Sequence, residues 1–355
     1  MGHDPAHRLI GLACRSILAA ALLAAAQPAP AQDNAAGGPW IIDVHEHLLA
    51  MGRGQALLDA AQSAVEAMDD AGVRTIIVMP PPLPSEDHPG AFTLAEIKQA
   101  VAAHPGRLAF MAGGESLNPM IQEAVAQGEV SDELLARFEA KAREIAASGA
   151  LGFGEMEAEH FCLGPDHHHQ NAPPDHPLFL RLAEIAAETG LAMDIHMEAV
   201  AQDRDLPEHL PDCNPARLPA NLDRFERLLD HAPNAVVIWD HVGWDNTGER
   251  DVALIARLLE AHPNLYMSFK ISPRDCLPAN MPVVIGEGIK PEWDELLARF
   301  PDRFLLGADE FFLPPRSRRS IGPESWEPTL KFFSKLDPDL ARIIGHDNPA
   351  RLFGL

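Results

Sequence analysis

One pattern repeats along this chain: a short apolar or β-branched run, a turn-rich stretch, then a longer segment with helical periodicity. Eight runs read as strands: Trp40–His47, Val73–Pro80, Arg107–Gly113, Gly149–Glu157, Leu191–Met197, Ala235–Val242, Asn264–Ile271 and Phe304–Glu310. The helices between them carry their own signals. Leu57, Leu58, Ala61, Val65 and Met68 form one stripe, closed by Gly72. Thr93 with Glu96 is a capping box. Leu178 to Ala187 runs on to a glycine stop at Gly190, and Pro291 takes a first-turn position before Trp293, Leu296 and Leu297. Eight strand-then-helix units in about 300 residues match a single (β/α)8 TIM barrel of the α/β class. An open doubly wound sheet is the alternative, but no glycine-rich dinucleotide fingerprint follows the first strand.

The first thirty residues do not follow this pattern. Arg8 and Arg15 precede the apolar run Ile17–Ala26, which ends in Pro28-Ala29-Pro30-Ala31-Gln32. A basic start, a short apolar stretch and an Ala-x-Ala end are the parts of a secretory signal, and the run is too short to span a bilayer. The expectation is a signal peptide over residues 1–31 and one domain over 32–355, placed in the periplasm or secreted. Cys14 would leave with the signal. Cys162, Cys213 and Cys276 then remain, an odd number without metal-knuckle spacing; at most one disulfide can form, and small buried thiols are the expected state.

Of the 355 residues, 46% are hydrophobic and 23% charged, which suits a globular chain. Against 28 Lys+Arg stand 52 Asp+Glu, a net charge of -24. Such a surface repels phosphate backbones and anionic lipid, so nucleic acid and, after signal removal, membrane are not expected partners. A small-molecule substrate is expected instead, with self-association into a homo-oligomer left open.

Polar residues fall at the C-terminal ends of the strands, the rim where barrel enzymes build their sites. His45 and His47 end the first strand, Glu155 and Glu157 the fourth, His196 the fifth, His241 the sixth, Lys270 the seventh and Asp309 the eighth. Asp43, His45 and His47 share a face by strand alternation, and two imidazoles about 7 Å apart along a strand can converge on one ion. His196 and Asp309 would complete the shell from across the barrel. Neutral imidazoles with one carboxylate suit zinc, less exclusively manganese, iron or cobalt. A lone strand-end histidine is usually a hydrogen-bonded structural residue; the common rim is what favours a metal.

At these residues the chain resembles the amidohydrolase superfamily, in the branch that holds aminocarboxymuconate-semialdehyde decarboxylase with several lactone and amide hydrolases. The resemblance runs from Ile41-Ile42-Asp43-Val44-His45-Glu46-His47 to Ile344-Gly345-His346-Asp347-Asn348-Pro349-Ala350-Arg351-Leu352-Phe353. Its specific parts are His45-x-His47, Asp194-Ile195-His196-Met197-Glu198, Trp239-Asp240-His241-Val242-Gly243 and Leu306-Gly307-Ala308-Asp309. The resemblance implies His45, His47, His196 and Asp309 as metal ligands. It implies His241 as the group that orients or deprotonates the attacking water, with Asp309 able to ligate and relay the proton. Where two-metal members carry a bridging carbamylated lysine, this chain has Gly154-Glu155-Met156-Glu157. Glu155 either bridges two ions, with His241 a ligand of the second, or serves as a hydrogen-bond acceptor or substrate contact. Glu157 ranks below it, as a residue of the loop. One ion is favoured, since the branch usually works with one.

Lys270 is expected to meet a substrate carboxylate or carbonyl, or else to pair with Glu155 or Glu157. Arg316, Arg318 and Arg319 after the eighth strand, and the run Asp166-His167-His168-His169, are weaker signals for anions and for an accessory metal. The function expected is metal-dependent hydrolysis of a small-molecule amide, lactone or ester. Non-oxidative decarboxylation of an aromatic or unsaturated acid is the alternative. A catalytically silent binding barrel would show a broken ligand set, and none is broken here.

Overall fold

The computed structural model describes residues 40–49, 54–85, 88, 90–164, 168–272, 278–284, 288–317 and 325–355. The expected signal segment, Cys276, Asp166, His167, Arg318 and Arg319 lie outside them. Residues 38–355 form one compact unit.

The fold is α/β with mostly parallel strands. β1 (Ile41–Leu48) pairs with β2 (Val73–Met79), and β2 with β3 (Leu108–Phe110, continued as Ala112–Gly113). The continuation of β3 pairs with β4 (Gly152–His160), which pairs with β5 (Ala192–Met197); then follow β6 (Val236–Val242), β7 (Leu265–Phe269) and β8 (Phe304–Leu306). All these pairings are parallel. The chain beyond β8 returns to β1: Asp309 N donates to His45 O at 2.8 Å, His47 N to Glu310 O at 2.9 Å, and Phe311 lies opposite His47. The strand order therefore comes back to its start.

Helices alternate with these strands: α1 (Gln55–Ala71), α2 (Leu94–Ala102), α3 (Leu117–Gln127), α4 (Asp132–Ala146), α5 (Pro177–Thr189), α6 (Leu222–His231), α7 (Val252–Ala261), α8 (Pro291–Arg299) and α9 (Trp326–Phe333). Gly72 and Gly190 stop α1 and α5 in the left-handed conformation, at φ 72° and 74°. Thr93 and Glu96 cap α2 reciprocally. The buried stripe of α1 is Leu57, Ala60, Ala61, Ala64, Val65 and Met68; Leu58 sits half-buried at its margin.

Strand alternation divides the core in two. Val237, Trp239, Met267, Phe269, Phe304 and Leu306 pack outward among helix residues such as Phe225, Leu258 and Trp293. Ile42, Val44, Ile77, Met79, Met111, Ala192, Ile238 and Leu305 form a second, inner cluster. Each fully buried Leu or Ile contributes roughly 1.5–3 kcal/mol. The residues that continue the inner row toward the strand ends, Asp194, His196, Asp240, Ser268 and Lys270, are polar and buried.

Two expectations are corrected. A register shift between Asp43 and Glu46 interrupts the alternation, so Asp43 does not extend the row of His45 and His47. Its carboxylate instead accepts from the backbone N–H groups of His45 and Ala308, both at 3.2 Å. Cys162 and Cys213 are not free thiols but a disulfide, which ties the loop after β4 to the loop after β5. Sequence offered no pairing signal because the two are 51 residues apart and meet only through the parallel order of their strands.

Candidate metal centre

Three departures from regular strand geometry bring the polar rim together. In β4 a register shift between Phe153 and Met156 turns the carboxylate of Glu155 inward just after Gly154. A side chain at Gly154 would strike Asp194 Cβ at 2.9 Å, so only glycine lets β4 approach β5 this closely. In β6 alternation would send His241 outward beside Trp239. A left-handed backbone, φ 61°, brings it in, and Asp309 after β8 is turned in the same way at φ 56°.

The centre is organised about Glu155. Its Oε2 lies 3.3 Å from His47 Nε2 and 3.6 Å from His45 Nε2. Its Oε1 lies 2.8 Å from His196 Nδ1 and 3.2 Å from His241 Nε2. Asp309 Oδ1 closes the first group, 3.1 Å from His47 Nε2 and 3.9 Å from His45 Nε2, while its Oδ2 is 3.8 Å from His241 Nε2. All six residues are buried.

The imidazoles are oriented from behind. His47 Nδ1 donates to Met79 O at 2.9 Å, so its Nε2 presents a lone pair to the centre. His45 Nδ1 is held 3.2 Å from Asp194 Oδ1 and 3.6 Å from Asp240 Oδ1, and Ser268 Oγ donates to Asp240. Thus His45 Nε2, His47 Nε2 and Asp309 Oδ1 converge in the interior without hydrogen-bond partners among the described residues. Lone pairs facing each other in a buried site repel unless a cation lies between them. With Glu155 Oε2 they leave separations of 3.1–3.9 Å, and donor atoms of His45, His47 and Glu155 all lie within 4.8 Å of one another. The residues fit a divalent metal.

The electrostatics agree. Burial opposes charge on His47, yet Asp309 and Glu155 hold its imidazolium up to about 9. Burial likewise opposes charge on His45, and Asp194 and Asp240 outweigh it to raise its pKa. Both are places that attract a positive charge. His241 goes the other way: burial, helped by Lys270 and His196, pushes it well below the usual histidine value, so it is a neutral, ligand-type imidazole. Glu155 and Asp309 lie well below the usual carboxylate range despite burial, held there by the four histidines and by Lys270 with His241 and His47 respectively.

A model of the amidohydrolase family matches residues 42–355. The chain belongs to the amidohydrolase family. It resembles solved structures of a probable 2-pyrone-4,6-dicarboxylic acid hydrolase from Acinetobacter baumannii (15% identity, 89% of this chain and 99% of that one, TM-score 0.48). It also resembles 2,6-dihydroxybenzoate decarboxylase from Rhizobium (14%, 89% and 98%, 0.48) and dihydroorotase from Campylobacter jejuni (15%, 89% and 83%, 0.47). These likenesses are distant. No curated protein matches the chain.

In this amidohydrolase the residues expected at the rim, His45, His47, Glu155, His196, His241, Lys270 and Asp309, do meet in one place. Lys270 pairs with Asp309 Oδ2 rather than with Glu155 or Glu157, and its Nζ lies 4.4 Å above the Trp244 ring. Glu157 is not in the loop: it is a buried residue of β4, and burial with the charges of Glu155 and Glu159 pushes its pKa well up. His168 and His169 part company: His168 O faces His160 Nδ1, and His169 Nε2 meets Glu159 at 3.0 Å. Asp194 and Asp240 were within the sequence motifs, but their role behind His45 required knowing that β5 and β6 are neighbours of β1's histidine across the interior. The pocket above the centre is walled by Leu49, Pro81, Pro82, Trp244 and Phe311.

Proposed function

We propose that this amidohydrolase is a (β/α)8-barrel hydrolase that cleaves an amide, lactone or ester bond of a small molecule with the help of two divalent ions. The observation that carries it is the position of Glu155, one oxygen toward His45 and His47 and the other toward His196 and His241. One ion would be held by His45, His47, Glu155 and Asp309, the other by Glu155, His196 and His241. This modifies the single-ion expectation, because His196 faces the opposite oxygen of Glu155 from His45 and His47. Zinc is the metal proposed, from the nitrogen-rich, compact donor set.

A divalent ion here supplies Lewis acidity, acidifying water and polarising a carbonyl. The protein supplies the rest. Asp309, kept ionised by Lys270, would accept the proton of the attacking water and return it to the leaving nitrogen or oxygen. Trp244 and the Pro81–Pro82 wall exclude bulk water, which strengthens these charge interactions.

Purified enzyme offered lactones, amides, esters and benzoate-type acids is expected to hydrolyse a member of the first three groups, with activity lost on chelation and restored by metal. Release of carbon dioxide from an acid, with no hydrolysis, would replace this reading by decarboxylation. We also propose export from the cytoplasm. The Cys162–Cys213 bond supports it, since disulfides persist in oxidising compartments. Intact mass of exported protein is expected to correspond to a start near Gln32; full-length chain confined to the cytosol would overturn the proposal.

A further inference from the structure

The metal centre accounts for one carboxylate of β4 and leaves another. Glu157 lines the same pocket as Glu155 and is fully buried. Glu155 lies within the register shift of β4 and Glu157 two residues further along the strand, after Met156 has rejoined the ladder with β5. Neither of its oxygens has a hydrogen-bond partner among the described residues. His160 Nδ1 lies 3.3 Å from Oε1 and is shared with His168 O at 3.2 Å. The Glu157 backbone is held by the Asn118 side chain, whose Oδ1 accepts from Glu157 N at 3.1 Å. A buried carboxyl group without a hydrogen-bond partner is costly, and one facing a pocket is suited to an arriving partner.

The pocket indicates which partner. Leu49, Leu163 and Phe311 give its wall apolar surface, beside the polar His88, His168 and Gln170. Among the described residues that line it, Lys270 is the single Lys or Arg, and Asp309 occupies it. Among the described residues no lysine or arginine is therefore held out to an anionic tail of the substrate, whereas an acidic side chain is.

We infer that Glu157 is a specificity-determining residue that receives a cationic nitrogen group of the substrate, an ammonium or amidinium carried on an apolar stem. This deepens the hydrolase reading and rests on it for the place of the reacting bond. The carboxylate contributes binding and orientation and takes no part in bond cleavage.

The test is direct binding of size-matched probes to the metal-loaded protein by calorimetry: benzylammonium, benzyl alcohol and benzoate. Benzylammonium is expected to bind at least tenfold more tightly than the other two, and Glu157→Gln to abolish that preference while leaving benzyl alcohol unchanged. Equal binding of benzylammonium and benzyl alcohol to the unaltered protein would overturn the inference, as would a preference that survives Glu157→Gln. Should that variant fail to fold, Glu157→Asp, whose shorter carboxylate withdraws from the probe, is expected to weaken the preference; no change would count against it. Metal content of the same preparations reports on the metal-centre reading separately.

Discussion

Lys270 Nζ donates to Asp309 Oδ2, while Asp309 Oδ1 lies 3.1 Å from His47 Nε2. One carboxylate thus faces an ammonium on one side and the metal donors on the other. Lys270 is the largest influence opposing burial in keeping Asp309 ionised. Lys270→Met is expected to raise the Asp309 pKa, moving the acidic limb of the pH–rate profile to higher pH. The loss of a charge-assisted bond should lower kcat about tenfold or more. A change confined to KM for acidic substrates, with kcat intact, would return Lys270 to the role of a substrate-carboxylate contact.

The paired donor groups about Glu155 give a count that can be measured. Protein purified without chelator is expected to carry nearly two equivalents of divalent metal, and either Glu155→Ala or His241→Asn to remove one. His241→Asn should also reduce the rate by roughly a hundredfold or more, since the remaining ion loses its neighbour. One equivalent in the unaltered protein, unchanged in His241→Asn, would establish the single-ion scheme with His241 beside it as a base.

The parts of this site visible from sequence were those carried by strand identity. Each rim residue could be placed because the apolar runs that precede it, such as Val237-Ile238-Trp239 before His241, mark a buried strand and its direction. Geometry within a strand was harder to see. His241 and Asp309 depend on left-handed backbone turns, and Glu155 on a shift of register; none of the three has a composition signal beyond a glycine one or two residues away. Pairings across the interior, Lys270 with Asp309 and His45 with Asp194 and Asp240, follow only once the ring order of strands is known. The Cys162–Cys213 bond is of the same kind.

That disulfide closes a loop of 51 residues, for which chain-entropy reasoning gives about 4 kcal/mol of stabilisation. Cys162→Ser with Cys213→Ser is expected to lose up to that amount in urea unfolding. Because Leu163 and His160, neighbours of Cys162, line the pocket, KM should rise more than kcat falls. Reductant should reproduce both effects in the unaltered protein and add nothing in the double variant. Identical unfolding midpoints with and without reductant would show that the tie contributes nothing to the fold.

Glu115 offers a test of burial away from the metal donors. It is buried after the end of β3, accepting from Gly113 N at 3.0 Å and Ser116 Oγ at 3.2 Å, and burial outweighs these bonds to raise its pKa. The folded state therefore binds this proton more tightly than the unfolded chain. The stabilisation is complete below the unfolded glutamate value of about 4.3 and is lost as pH rises through the folded one. Glu115→Gln keeps the acceptor oxygen and removes the titration. Its stability relative to the unaltered protein is expected to improve steadily as pH rises from acid toward neutral, read as the difference between urea midpoints at successive pH values. A difference that stays constant across that range would mean that Glu115 titrates alike in the folded and unfolded chain, and that the hydrogen bonds from Gly113 and Ser116 fully offset its burial.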